Sequence, residues 1–171
     1  MPELFLVTGP MAAGKTTVAR LLAARFERGV HLEGDVFRRM IVTGREEVRP
    51  ELPAEALAQL RLRYRLAAAA ADAYAAAGFT VALEDVVAGP LLAEVVQLVR
   101  ARPLHVVVLL PSRAALRRRA DAREGGYGDW SVDELYDGFD TGTPRIGLWL
   151  DTSRQTPDET VAEILARRER K

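Results

Sequence analysis

The densest chemistry in this chain lies in Gly9-Pro10-Met11-Ala12-Ala13-Gly14-Lys15-Thr16, where Gly9 and Gly14 flank four residues and Lys and Thr follow. That spacing suits a loop wrapped around a polyphosphate. Such a loop must bring its backbone closer to the anion than a β-carbon permits and turn its N–H groups inward, and glycine allows both. The helix opening near Gly14 points its positive end at the same place, and Lys15 adds a mobile charge within reach. Thr16 is placed to offer a hydroxyl to Mg2+. The loop from Gly9 to Thr16, with Thr17 beside it, is therefore the expected contact for the phosphates of a nucleotide, with ATP and Mg2+ as cofactors. The plain alternative is a Gly-Pro turn before an amphipathic helix, and the apolar run Leu4-Phe5-Leu6-Val7 ahead of the loop weighs against it.

Other candidates stand farther along. Asp35 follows a short apolar stretch and Gly34, the place where a carboxylate meets the ligand crevice of an open parallel sheet. It suits a base that orients an acceptor hydroxyl and takes its proton, and equally the N-cap of a helix starting at Val36. Arg38, one turn on, is the preferred acceptor contact. Glu84 and Asp85 end another apolar stretch; alternation lets only one of them face the phosphate loop, and Asp85 is preferred for a water-mediated metal role and a place in the acceptor site. Arg119 and Arg123 are four apart and share a helix face. They can close over a triphosphate and stabilise charge in transfer, as arginine's fixed fork of donors allows, or they belong to a solvated face with Arg113, Arg117 and Arg118. His31 and His105 form no metal-ligand set.

Positioning these groups takes alternating strands and helices. Glu3–Thr8 is apolar throughout and reads as a central strand covered on both faces. A helix is expected over Lys15–Arg28 with Gly29 closing it, a strand at Val30–Glu33, and a short helix from Val36 to Val42. A long alanine-rich helix follows from Ala54 to Ala77, closed by Gly78, then a strand at Phe79–Leu83, a helix to Ala101, and a valine-rich strand at Leu104–Leu110. Arg113–Glu124 is an arginine-dense helix. Ser131–Glu134 and Thr156–Glu159 have capping-box spacing, and Ile146–Leu150 is the last strand. Five strands alternating with helices predict a three-layer α/β domain with a parallel sheet, one domain over residues 1–171 with an arginine-bearing lid at about 112–130.

At 171 residues with 49% hydrophobic and 28% charged composition, the chain suits one domain. The 24 Lys and Arg residues balance the 24 Asp and Glu residues, so no global field favours nucleic acid. The absence of cysteine removes disulfides and thiolate chemistry. No stretch is apolar and long enough to span a bilayer, and with no cationic leader before the first strand the chain reads as cytoplasmic.

The loop Gly9–Thr16, Asp35, Glu84-Asp85, the Arg119 and Arg123 pair, and a last strand leading to Asp151-Thr152-Ser153 together resemble the P-loop kinase superfamily of small phosphotransferases, nearest to chloramphenicol phosphotransferase-like proteins. The resemblance implies a sheet order of 2-3-1-4-5, which sets the strand ends near Thr8, Asp35 and Asp85 side by side. It also implies adenine contacts at Thr152 and Ser153. The activity it implies is transfer of the γ-phosphoryl group of ATP to a hydroxyl of a small molecule of antibiotic, sugar or nucleoside type. A nucleotide-binding regulatory ATPase module and a nucleotide or polynucleotide kinase are the competing readings.

Overall fold

The computed structural model of the protein describes residues 1–122 and 128–168. Five parallel strands form one sheet: β1 (Leu4–Thr8), β2 (Gly29–Glu33), β3 (Thr80–Glu84), β4 (Leu104–Leu109) and β5 (Leu148–Leu150), in the order β2-β3-β1-β4-β5. The order matches the one the resemblance implies. β1 is central and buried along its whole length. Its alternation shows why an unbroken apolar run belongs there: Leu4 and Leu6 enter one core, Phe5 and Val7 the other.

Seven helices surround the sheet among the described residues: α1 (Lys15–Ala23), α2 (Asp35–Arg39), α3 (Ala54–Ala76), α4 (Leu91–Leu98), α5 (Arg113–Asp121), α6 (Val132–Asp140) and α7 (Pro157–Arg168). α3 and α4 cover the face carrying Leu4, Leu6, Val81, Leu83 and Val106. α1 and α7 cover the face carrying Phe5, Val7, Ala82 and Val107. Both capping boxes form, at Ser131 with Glu134 and at Thr156 with Glu159. No helix among the described residues is long and apolar enough to cross a membrane.

Several elements end earlier than periodicity suggests, each for a local reason. α1 stops at Ala23 because Arg25 and Phe26 bond back only three residues, to Leu22 and Ala23, a tighter turn that lets the ring of Phe26 approach Phe5 with centroids 5.8 Å apart. Gly29 therefore opens β2 instead of closing the helix. α4 stops at Leu98 because the carboxylate of Asp72 accepts from the backbone N–H groups of Arg100 and Ala101 and draws them out of the helical ladder. β3 runs one residue later than expected, so Glu84 is its last residue and Asp85 lies just beyond.

Candidate active site

The phosphate loop leaves the carboxyl end of β1 and turns through left-handed backbone at Ala12 (φ 64°) and Gly14 (φ 92°) before α1 begins. Left-handed turns of this kind suit a loop whose backbone faces an anion, and at Gly14 a side chain would be strained. Lys15 is nearly buried and its ammonium donates to the carbonyl of Pro10 at 2.8 Å, so its stem folds back along the loop it serves.

Across from the loop, the hydroxyl of Thr16 donates to Oε1 of Glu84 at 2.8 Å. Glu84, and not the Asp85 preferred from the sequence, is the carboxylate that touches Thr16: β3 pairs Glu84 with Val7 of β1, which brings Glu84 under the loop, while Asp85 leaves the strand toward α3. Burial pushes the Glu84 carboxyl up, but the imidazole of His31 at 3.8 Å, the Thr16 hydroxyl and the charge of Lys15 outweigh it and hold the group below its ordinary range. A hydroxyl and an ionised carboxylate are hard oxygen donors that fit Mg2+. Among the described residues no group of three or more His, Cys, Asp or Glu could hold a metal ion.

The second half of the site is built of ion pairs. Asp35 is the first residue of α2, whose N-cap is Gly34 with no side-chain cap bond, so capping is not what its carboxylate does. It accepts from Nε of Arg38 at 2.7 Å and from Nη1 of Arg39 at 2.9 Å, and Nη1 of Arg63 lies 3.4 Å away. Burial pushes the Asp35 carboxyl up, yet the Arg38 bond and the charges of Arg38, Arg63 and Arg39 prevail and hold it below its ordinary range. Arg38 also donates to Glu47, at 2.7 and 2.8 Å.

Asp85 is almost fully buried and forms a two-pronged pair with Arg63, from Nε to Oδ2 at 2.9 Å and from Nη2 to Oδ1; it also accepts from the N–H of Val86 at 2.7 Å. Burial raises the Asp85 carboxyl above its ordinary range, with Arg63 and the Val86 N–H only partly opposing it. Gly34 makes room for this arrangement, since a β-carbon there would sit 2.1 Å from Oδ2 of Asp85. Arg63 is the residue that sequence reasoning passed over. Its neighbours on α3, Leu60, Tyr64 and Ala67, are buried, so an arginine on that stripe requires a partner. Arg61 instead pairs with Glu94 at the surface.

Arg119 crosses the loop, donating to the carbonyls of Ala13 and Thr152, both at 3.1 Å. It thereby joins the phosphate loop to the turn after β5. Arg123 lies outside the described residues. Arg113 and Arg117 pair with Asp133 on α6, as a solvated helix face would. The Thr152 side chain is buried, with no hydrogen-bond partner for its hydroxyl among the described residues. Ser153 accepts from the N–H of Ser112 at 2.7 Å through Oγ, so that side chain ties the β4 and β5 ends together.

Comparison with known proteins agrees with this architecture. The sequence profile of the AAA domain family matches residues 4–135. No curated protein matches the sequence. Among solved structures, a sugar kinase from Janibacter sp. HTCC2649 is similar with a TM-score of 0.75 at 20% identity, over 99% of this chain and 95% of that one. The APS kinase of Mycobacterium tuberculosis, solved with AMPPNP and APS, gives 0.72 at 18% identity over 98% of both chains. The tunicamycin resistance protein of Deinococcus radiodurans gives 0.68 at 15% identity, over 98% of this chain and 95% of that one. These likenesses establish the P-loop kinase fold.

Proposed function

The chain belongs to the AAA domain family, and on that premise we propose that it is an ATP-dependent kinase that phosphorylates a hydroxyl of a small molecule. One observation carries the reading. β3 pairs with both β1 and β2, so the Thr16 and Glu84 pair and the Asp35 carboxylate stand on neighbouring strand ends, a phosphate-holding group beside an acceptor-orienting one. Kinases among the similar structures support it.

The loop amides and Lys15 hold the β- and γ-phosphates. Thr16, with Glu84 behind it, is the side chain that would hold Mg2+, which when bound neutralises charge on the phosphate oxygens. Asp35 accepts a hydrogen bond from the acceptor hydroxyl and aims its oxygen at the γ-phosphorus. The O–P bond to the acceptor forms as the bond to the bridging oxygen of ADP breaks, and the hydroxyl proton passes to Asp35. Because its arginines make Asp35 a weak base, orientation contributes more than proton removal, in keeping with a loose transition state. Arg119 steadies the loop during transfer, Arg38 walls the acceptor side, and the turn at Thr152 and Ser153 borders the adenine.

The test is a panel of hydroxyl compounds incubated with the protein, ATP and Mg2+, read as ADP release above the water background and as a product heavier by one phosphoryl group. A phosphorylated product is expected for at least one alcohol. Release equal to the water background throughout would reject the kinase reading in favour of a nucleotide-binding module.

A further inference from the structure

Beside Asp35, α2, the loop after it and α3 enclose a small pocket lined by Phe37, Ile41, Val48 and Leu60, with Leu62 and Leu66 partly exposed at its rim. Arg38 and Arg63 also reach its wall. An arginine beside an acceptor pocket ordinarily serves to grip an anion, and here every one is already matched. Arg63 is forked onto Asp85, Arg38 is divided between Asp35 and Glu47, and Arg39 between Glu33 and Asp35. Arg45 also pairs with Glu47, so four guanidinium groups face four carboxyl groups and no positive charge is left over, 4 − 4 = 0.

Resting on the kinase reading, we propose that this pocket selects an uncharged hydroxyl compound with an apolar body and turns away anionic acceptors, and that Asp85 sets the preference by occupying Arg63. An incoming carboxylate or phosphate would meet no excess positive charge and would have to displace Asp85 from a pair in which the Arg63 side chain is only 10% exposed and that of Asp85 4%. A buried pair of this kind adds little net stability over apolar residues of the same volume, so stability does not explain its presence. Suppressing the wrong partner does: specificity is a difference of affinities, obtained as well by repelling one ligand as by attracting another. Asp85 is here a specificity-determining residue placed behind the pocket wall. The apolar lining supplies the attraction for the favoured class.

A matched pair of probes, p-methylbenzyl alcohol and p-(hydroxymethyl)benzoate, differs by one charge on the same ring. Binding is followed through the NMR signals of Phe37 and Leu60, with the phosphate loop filled by a non-hydrolysable ATP analogue and Mg2+. The wild type is expected to bind the alcohol at least about tenfold more tightly, since like charges across a contact are costly. Asp85→Asn should shift the ratio toward the carboxylate by about tenfold or more by uncovering Arg63, and Asp85→Asn with Arg63→Gln should return it to the wild-type order. Equal or tighter carboxylate binding by the wild type overturns the proposal and needs no variant. So does a folded Asp85→Asn protein that gains nothing, or a double variant that keeps the gain. ADP release separates the two readings: selective binding without transfer to any alcohol rejects the kinase and leaves the selectivity, whereas transfer to an anionic acceptor rejects the selectivity and leaves the kinase.

Discussion

At the phosphate loop the groups that meet a ligand belong mostly to the backbone, set by left-handed turns at Ala12 and Gly14 and by the start of α1. Across the crevice, at the ends of β2 and β3, they are side chains, and nearly all are committed to one another: Asp35 to three arginines, Asp85 to Arg63, Arg38 also to Glu47. The first region presents donors to an anion. The second presents a closed set of charges with an apolar pocket beside it. On the kinase reading, one crevice would treat two substrates oppositely, holding a polyphosphate at one end while the matched charges of the other end turn an anion away.

The largest expected effect breaks the second region at its centre. Asp35→Asn keeps the size of the side chain and removes its charge, and phosphoryl transfer should fall about 10²- to 10⁴-fold, the range of a positioned acid–base group. ATP affinity should stay within about twofold, because Asp35 pairs with Arg38, Arg39 and Arg63, which lie outside the phosphate loop. Steady-state transfer to an identified acceptor, beside equilibrium ATP binding, is the measurement; a parallel loss of ATP binding would mean the two regions are not separable.

Lys15→Ala attacks the first region and should do the reverse, weakening ATP binding and lowering kcat/KM by about 10²- to 10³-fold, the scale of one lost pre-organised donor. Binding of the uncharged benzyl probe at the acceptor side should not change. Unaltered ATP affinity would remove the loop from the site.

Glu84→Gln tests the group that joins the two regions. The glutamine can still accept from Thr16 but lacks the charge, and the Mg2+ concentration for half-maximal activity should rise about tenfold or somewhat more, as expected when an outer partner of a metal ligand is weakened. Asp85→Asn should leave that concentration unchanged. The opposite ranking, read from Mg2+ titrations of turnover, would restore the metal role to Asp85.

The two regions were also unequally visible in the amino-acid sequence. The loop is local, with its meaning carried by eight adjacent residues, and the sheet follows from apolar runs whose length and spacing are local too. Asp35 was recognisable by its place after a strand. The partners of the acceptor side were not, because Arg63 reaches Asp35 and Asp85 from 28 and 22 residues away and no spacing rule links them. Only the incongruity of an arginine on the buried stripe of α3 pointed there. The choice between Glu84 and Asp85 turned on a single residue of strand length, which is the least legible feature of any strand. Alternation turns the two carboxylates to opposite sides; register decides which of them meets Thr16.

The smallest expected effect is on stability against pH, and it sharpens the same contrast. Asp35 has a folded-state pKa below its ordinary value because Arg38, Arg39 and Arg63 favour the charged form over the opposing effect of burial. A depressed carboxyl contributes stability that is fully present above the unfolded pKa, near 3.9, and is lost as pH falls through the lower folded value. The difference in unfolding free energy between the wild type and Asp35→Asn should therefore be level from neutrality to about pH 5 and should close as pH drops below about 4. With a third of the Asp35 side chain exposed, solvent screening keeps the gap small, under about 1 kcal/mol. Lys15→Ala removes one of the charges that hold the Glu84 carboxyl low, so its gap from the wild type should also narrow in acid as Glu84 is protonated. Urea unfolding at a series of pH values measures both, and a wild-type to Asp35→Asn gap that widens in acid would mean the arginines do not stabilise the Asp35 carboxylate.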